Sequence, residues 1–241
     1  MTIDLFADAD ALARDLATRV VRAMARRPSL VLGLPTGRTP QPFYAALRRH
    51  TADHAVDWSG VRTFNLDEFV GVGPEAPGSY RAYMQRELLS AVSLAPARVG
   101  FLDGLAADLE TECERYERAI LAAGGIDLMI LGIGTNGHIG FNEPAAGLHA
   151  RTHRARLADE TRASNVELFG GDLSRVPEEA LSMGMATILQ ARSVVMIATG
   201  SAKAEVVTAM MRGPITTRLP ASFLQLHPDV TVMVDRAARP R

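Results

Sequence analysis

The sequence predicts an α/β fold with a mainly parallel sheet, on three observations. Short apolar runs bounded by turn residues recur at Leu30–Leu34, Leu128–Leu131, Val194–Ala198 and Val230–Val234, as strands buried on both faces require. Between them apolar residues repeat at helical spacing, so strand and helix alternate. Leu128–Leu131 then opens into a loop with Gly132, Gly134 and Gly137 that carries Asn136, His138 and Glu143. Ligands in open α/β sheets sit outside the carboxyl ends of the strands, which puts this polar cluster where a site belongs.

The 241 residues, 47% of them hydrophobic, suit one domain over 1–241. A chain of that length buries roughly 70 to 75% of its unfolded surface. With 26 basic against 27 acidic residues the net charge is -1, so no global field favours nucleic acid or an anionic membrane, and any anion site must be local. Cys113 is the single cysteine, which excludes an intramolecular disulfide framework and suits a reducing compartment. Asp4, Asp8 and Asp10 precede the first basic residue, the reverse of a signal peptide, and no apolar run approaches the ~18 residues of a membrane span. The expectation is a soluble, cytoplasmic protein.

Along the chain, Leu12, Leu16, Val20 and Met24 mark a first helix that Pro28 ends before the strand Leu30–Leu34. Pro35-Thr36-Gly37-Arg38-Thr39-Pro40 leads straight into a second helix carrying Phe43 and Leu47. Backbone N–H groups, two hydroxyls and Arg38 converge there, the makings of an anion site, although a plain turn with a Thr cap fits the same residues. Val61–Phe69 reads as one strand ending in the adjacent carboxylates Asp67 and Glu68. Either the pair begins a solvated loop, or one carboxylate faces a cleft as a base while its neighbour points the other way. Ser79–Val92 and Leu109–Ile120 are helical patterns, the second ending at Gly124-Gly125. Residues 145–180 are polar and Gly-containing with only short helical patches, which suits a movable cover over the site. Thr199-Gly200-Ser201-Ala202-Lys203 opens a helix with a cation on its first turn, and Pro220–Leu226 supplies a last helix. No repeat or linker splits the chain, so the class is a single α/β domain, Rossmann-like, with helices flanking the sheet.

Five stretches taken together resemble the glucosamine-6-phosphate deaminase family: Gly33–Pro40, Phe64-Asn65-Leu66-Asp67-Glu68-Phe69, Gly132–Pro144, Thr199–Lys203 and Pro220–His227. They occur in order over nearly the whole chain. The element Gly137-His138-Ile139-Gly140-Phe141-Asn142-Glu143-Pro144 is specific, because the related 6-phosphogluconolactonases match it up to Gly-His and then diverge.

The resemblance implies conversion of glucosamine 6-phosphate and water into fructose 6-phosphate and ammonia, with a small-molecule amino-sugar phosphate as partner. It implies no metal and no organic cofactor, and is compatible with a homo-oligomer. Asp67 matches the family's base for the C2 proton. His138 is suited to ring opening, with Glu143 and Asn136 fixing its tautomer and charge. Thr36, Gly37, Arg38, Thr39 and Lys203 match the family's anion-binding positions. Two departures stand out. Arg38 occupies a place usually held by Gly or Ser, where it either adds a phosphate contact or narrows the pocket, and Glu167, in the lid-like segment Thr161–Glu167, stands where an arginine often contacts the phosphate, so that either Arg162 or Arg38 substitutes or the lid binds differently.

Three alternatives remain: a galactosamine-6-phosphate deaminase, differing only at the C4 hydroxyl; a 6-phosphogluconolactonase, which needs neither Asp67 nor the Phe-Asn-Glu-Pro run; and a non-enzymatic sugar-phosphate sensor, which would have lost one of Asp67, His138 or Glu143. Some members of the family are activated by N-acetylglucosamine 6-phosphate through basic residues just past the Asn-Glu-Pro element. Here His153 and Ala155 hold places that are cationic in those enzymes, so the expectation is hyperbolic kinetics without activation, with Arg151, Arg154 and a partly protonated His153 as the residues able to rebuild such a site.

Overall fold

A computed structural model describes residues 1–240. Seven parallel strands form one sheet: β1 (Thr2–Phe6), β2 (Val31–Leu34), β3 (Arg62–Asn65), β5 (Val99–Gly100), β6 (Leu128–Gly132), β9 (Ser193–Ala198) and β10 (Val230–Asp235), in the order β1-β10-β9-β6-β2-β3-β5. The side chains of its central strands alternate between two cores, as a pleated strand covered on both faces demands. Met129 and Leu131 pack with Cys113, Tyr116, Val207 and Met210 on one side. Leu32, Leu34, Ile130 and Ile197 pack with Leu16, Val20, Phe43 and Leu47 on the other. The helices α1 (Ala9–Arg26) and α2 (Gln41–His54) cover the second face, and α4 (Leu109–Ala122) and α7 (Ala204–Arg212) the first.

The run Val61–Phe69 is not one strand. It breaks at Leu66, and Asp67–Phe69 becomes β4, the edge of a separate antiparallel sheet ordered β4-β8-β7, with β7 at His153–Arg156 and β8 at Glu179–Ser182. The second sheet has its own small core, in which Phe69, Tyr80 and Phe141 are buried with Phe169, Leu157 and Val176. Asp67 and Glu68 therefore do not start a solvated loop: both are buried. The pattern Ser79–Val92 also shortens. The helix α3 runs Tyr80–Glu87 with Ser79 as its cap, and a separate 3-10 turn follows at Leu89–Ala91. Within 145–180 the backbone forms β7, the short helix α5 (Asp159–Ser164) and 3-10 turns at Val166–Phe169 and Leu173–Arg175. After β8 comes α6 (Met185–Leu189).

Candidate active site

Three consecutive neighbours in the parallel sheet each deliver a loop to one cavity of about 580 Å³. β2 delivers Thr36, Gly37, Arg38 and Thr39; β6 delivers Asn136 and His138; β9 delivers Lys203. The fourth wall comes from the small sheet through Asp67, and from α5 and the turn after it through Thr161, Asn165 and Glu167.

The β2 loop has the geometry that can receive an anion. Gly37 sits at φ +98°, a left-handed conformation that a side chain would resist, and its carbonyl accepts a hydrogen bond from the Tyr83 hydroxyl at 2.6 Å. Tyr44 braces the same loop by donating to the Pro35 carbonyl at 2.5 Å. No side chain caps α2, so Thr39 is not a cap and the first turn, Pro40 and Gln41, faces the cavity. Across from it the Lys203 ammonium donates to the Ile133 carbonyl at 2.7 Å. Burial, and after it the charge of Arg38, lowers the Lys203 pKa. Two cations held close enough to disfavour each other are a place where a dianion is stabilised.

Arg162 does not join them. Its guanidinium donates to the carbonyls of Leu173 at 3.2 Å and Val176 at 3.0 Å, tying down the chain behind α5, and it lines no part of the cavity. Glu167, by contrast, does line it, so of the two replacements considered for the lid arginine only Arg38 has the position.

At the other end, His138, Asn136 and Glu143 form a linked group. Glu143 is not in the cavity wall but behind it, with Oε2 2.8 Å from the donating Asn136 Nδ2 and 3.4 Å from His138 Nδ1. Asn136 Oδ1 in turn accepts the His138 backbone N–H at 3.1 Å, which closes the loop on itself. Burial alone would raise the Glu143 carboxyl; hydrogen bonding and charge from His138, with bonds from Thr161 and Asn136, outweigh it and hold the group at about 2. An ionised carboxylate only accepts, so the proton of a neutral His138 belongs on Nδ1, and Nε2 is left with a free lone pair. Gly134 makes room for the ring: a Cβ there would collide with the imidazole.

Asp67 and Glu68 divide as adjacent strand residues must. Glu68 turns away and accepts the backbone N–H groups of Phe69 at 2.9 Å, Tyr80 at 3.0 Å and Arg81 at 2.9 Å, fixing the start of α3 against β4. Asp67 faces the cavity, only 6% exposed. Burial first, and the charge of Glu68 second, push its carboxyl up to about 8. Sequence reasoning missed Tyr80, Thr161 and Asn165 as cavity residues. Tyr80 stacks on Phe141 at 5.8 Å between ring centroids and donates to Asn165 Oδ1 at 3.0 Å. Periodicity does not single them out, because Tyr80 at the start of α3 and Thr161 and Asn165 on and just after α5 meet only in the tertiary fold.

The fold and the wall residues agree with a match of residues 5–233 to the model for glucosamine-6-phosphate isomerases/6-phosphogluconolactonase. The chain belongs to that family. It is 44% identical over 238 residues to a glucosamine-6-phosphate deaminase of Streptomyces avermitilis, a match covering 99% of this chain and 91% of that one. With a deaminase of Arthrobacter sp. (strain FB24) it shares 47% over 224 residues, 92% of this chain and 86% of the other. A solved structure of a monomeric glucosamine-6-phosphate deaminase superposes with a TM-score of 0.95 at 37% identity, over 99% of this chain and 98% of that one. A 6-phosphogluconolactonase from Thermotoga maritima has a TM-score of 0.75 at 20% identity over 98% of this chain and 99% of the other, and shares the fold alone. No helix among the described residues is long and apolar enough to cross a membrane.

Proposed function

We propose that the protein is a glucosamine-6-phosphate deaminase. The observation that carries the reading is the cavity itself: a cationic end at Arg38 and Lys203, and at the other end a buried Asp67 and a His138 whose Nδ1 is engaged from behind by Glu143. A lactone hydrolase has no use for a desolvated carbon base, whereas an aldose-ketose step requires one.

The phosphate of the substrate is held by Lys203, Arg38 and the Thr36–Thr39 loop. His138 takes the anomeric hydroxyl proton on Nε2 and returns it to the ring oxygen as the pyranose opens, with Glu143 stabilising the imidazolium between the two transfers. Asp67 then removes the C2 proton as the substrate's ammonium passes one of its protons to O1, giving an enolamine, and Asp67 delivers the C2 proton to C1, leaving an iminium at C2. Water adds to C2 of the resulting iminium and ammonia leaves, which completes fructose 6-phosphate. A carboxyl lifted to about 8 is mostly uncharged at neutral pH. The substrate's ammonium group, placed beside it, both ionises Asp67 and acidifies C2, so the base is generated when the substrate arrives. The segment 145–180 is the cover that closes over the sugar. The protein acts alone, as a cytoplasmic monomer, a reading supported by the monomeric deaminase that superposes on it.

Ammonia release tests the assignment, measured with glucosamine 6-phosphate, with its C4 epimer, and beside a lactone-hydrolysis control. Release from glucosamine 6-phosphate above the other two is expected. Faster release from the epimer would make the protein a galactosamine-6-phosphate enzyme, and lactone hydrolysis without ammonia would end the proposal.

A further inference from the structure

Thr161 stands on α5, the one short helix of the segment that covers the cavity, and is almost fully buried. Its Oγ1 lies 3.3 Å from His138 Nδ1, the same nitrogen that Glu143 Oε2 approaches at 3.4 Å. Thr161 also contributes to the stabilisation of the Glu143 carboxylate. Since that carboxylate can only accept, the hydroxyl donates to it and receives the Nδ1 proton with its lone pair. The backbone around Thr161 is fixed as well. Its carbonyl accepts from Ser164 Oγ at 2.8 Å and from Asn165 Nδ2 at 2.9 Å, and Asn165 is in turn bound by the Tyr80 hydroxyl.

Resting on the deaminase reading above, we infer that Thr161 is a positioning residue through which the docked cover segment holds His138 in the Nδ1–H tautomer. Histidine has two nearly equivalent ring protonation sites, and which one is populated is decided by the partner of the other nitrogen. Glu143 and Asn136 belong to the same loop as His138 and travel with it, whereas Thr161 comes from outside that loop. Only when α5 is seated is the Nδ1 side closed by two acceptors. Displacement of α5 removes one of them, and the imidazole gains freedom to turn or to carry its proton on Nε2, where it has no lone pair for the anomeric hydroxyl. Ring opening is thereby tied to closure, and an open cavity does not run the first step. Thr161 itself exchanges no proton with the sugar.

The test uses Thr161→Val, which keeps shape and loses the hydroxyl, and Thr161→Ser, which restores it. With parent enzyme that releases ammonia from glucosamine 6-phosphate, Thr161→Val should lower kcat about tenfold while KM stays within about twofold, and Thr161→Ser should return kcat to within about threefold of the parent. At a pH that leaves the ring uncharged, the ¹⁵N resonances of His138 should show a protonated Nδ1 and a bare Nε2 in the parent and in Thr161→Ser, and a mixture in Thr161→Val. An unchanged kcat in Thr161→Val, or a loss that Ser does not rescue and that leaves the ¹⁵N pattern untouched, would overturn the inference. A parent that releases no ammonia would instead remove the functional reading beneath it.

Discussion

The two sheets meet at the cavity and contribute different kinds of group. The parallel sheet supplies loop backbone, Arg38 and Lys203 at strand ends, suited to an anion, and the imidazole of His138 on the loop after β6. The small antiparallel sheet supplies Asp67, a carboxyl whose affinity for protons is raised by burial. Binding an anion needs charge that stays charged, whereas removing a proton from carbon needs a carboxylate whose affinity for protons has been raised. One sheet cannot easily provide both environments, and the break at Leu66 is what places them side by side.

The sharpest way to break this contrast is to remove the base. Asp67→Asn should lower turnover by ~10²- to 10⁴-fold with binding of a substrate analogue largely kept; a loss of less than tenfold would reject the role. Stability should move the other way. A buried carboxyl whose folded pKa lies near 8, against ~3.9 unfolded, holds a proton that the unfolded chain releases. Its contribution to stability is therefore complete below pH ~4 and is lost as pH rises toward 8. Asp67→Asn escapes that loss, so its melting temperature should gain on the parent's between pH 5 and pH 8, as thermal scans at the two values would reveal.

His138→Gln should come next in size, and selectively. Turnover of the cyclic substrate should fall by about 10²-fold or more, with a smaller loss on an acyclic analogue that needs no ring opening. Equal losses on both substrates would assign His138 to another step.

On the holding side the effects should appear in KM. Loss of a charge-assisted hydrogen bond of ~1.5 to 3 kcal/mol predicts that Lys203→Ala raises KM by roughly 10- to 150-fold. Arg38→Gly should do the same more weakly, and a fall in KM would mark Arg38 as an obstruction. Arg162→Ala, by contrast, should leave KM within about twofold, because that guanidinium serves the carbonyls of Leu173 and Val176.

The smallest expected effect is none. N-acetylglucosamine 6-phosphate should leave a hyperbolic saturation curve unchanged. Burial, then the neighbouring His149, lowers His153 to about 4, so at neutral pH it is uncharged and not the partly protonated cation the sequence suggested. A sigmoidal curve made hyperbolic by the effector would show that Arg151 and Arg154 suffice.

What could be read in the sequence follows the same division. Strands of the parallel sheet are buried on both faces, so Leu128–Leu131 and Val194–Ala198 announce themselves as apolar runs, and the loops after them carry His138 and Lys203 in sequence-local clusters. The small sheet is different. His153-Arg154-Ala155-Arg156 and Glu179-Ala180-Leu181-Ser182 are four-residue strands, too short to announce themselves, and the ladder β4-β8-β7 that joins them is set by tertiary contacts. β1 escaped for a related reason, since its apolar residues Ile3 and Leu5 lie exposed on the sheet edge. Arg162 was misplaced because a sequence register cannot tell which way a side chain on a single helical turn points.

The central claim is that Asp67 rests uncharged and becomes a base only beside the substrate's ammonium group. Its carboxyl carbon, followed by ¹³C NMR across pH with Asp67→Asn to assign the signal, reports this directly. The free enzyme should titrate near 8, and saturation with an acyclic amino-sugar phosphate that carries the ammonium but cannot isomerise should move the midpoint well downward. A free-enzyme midpoint in the ordinary range near ~4, or one near 8 that the ammonium ligand leaves in place, would contradict the account.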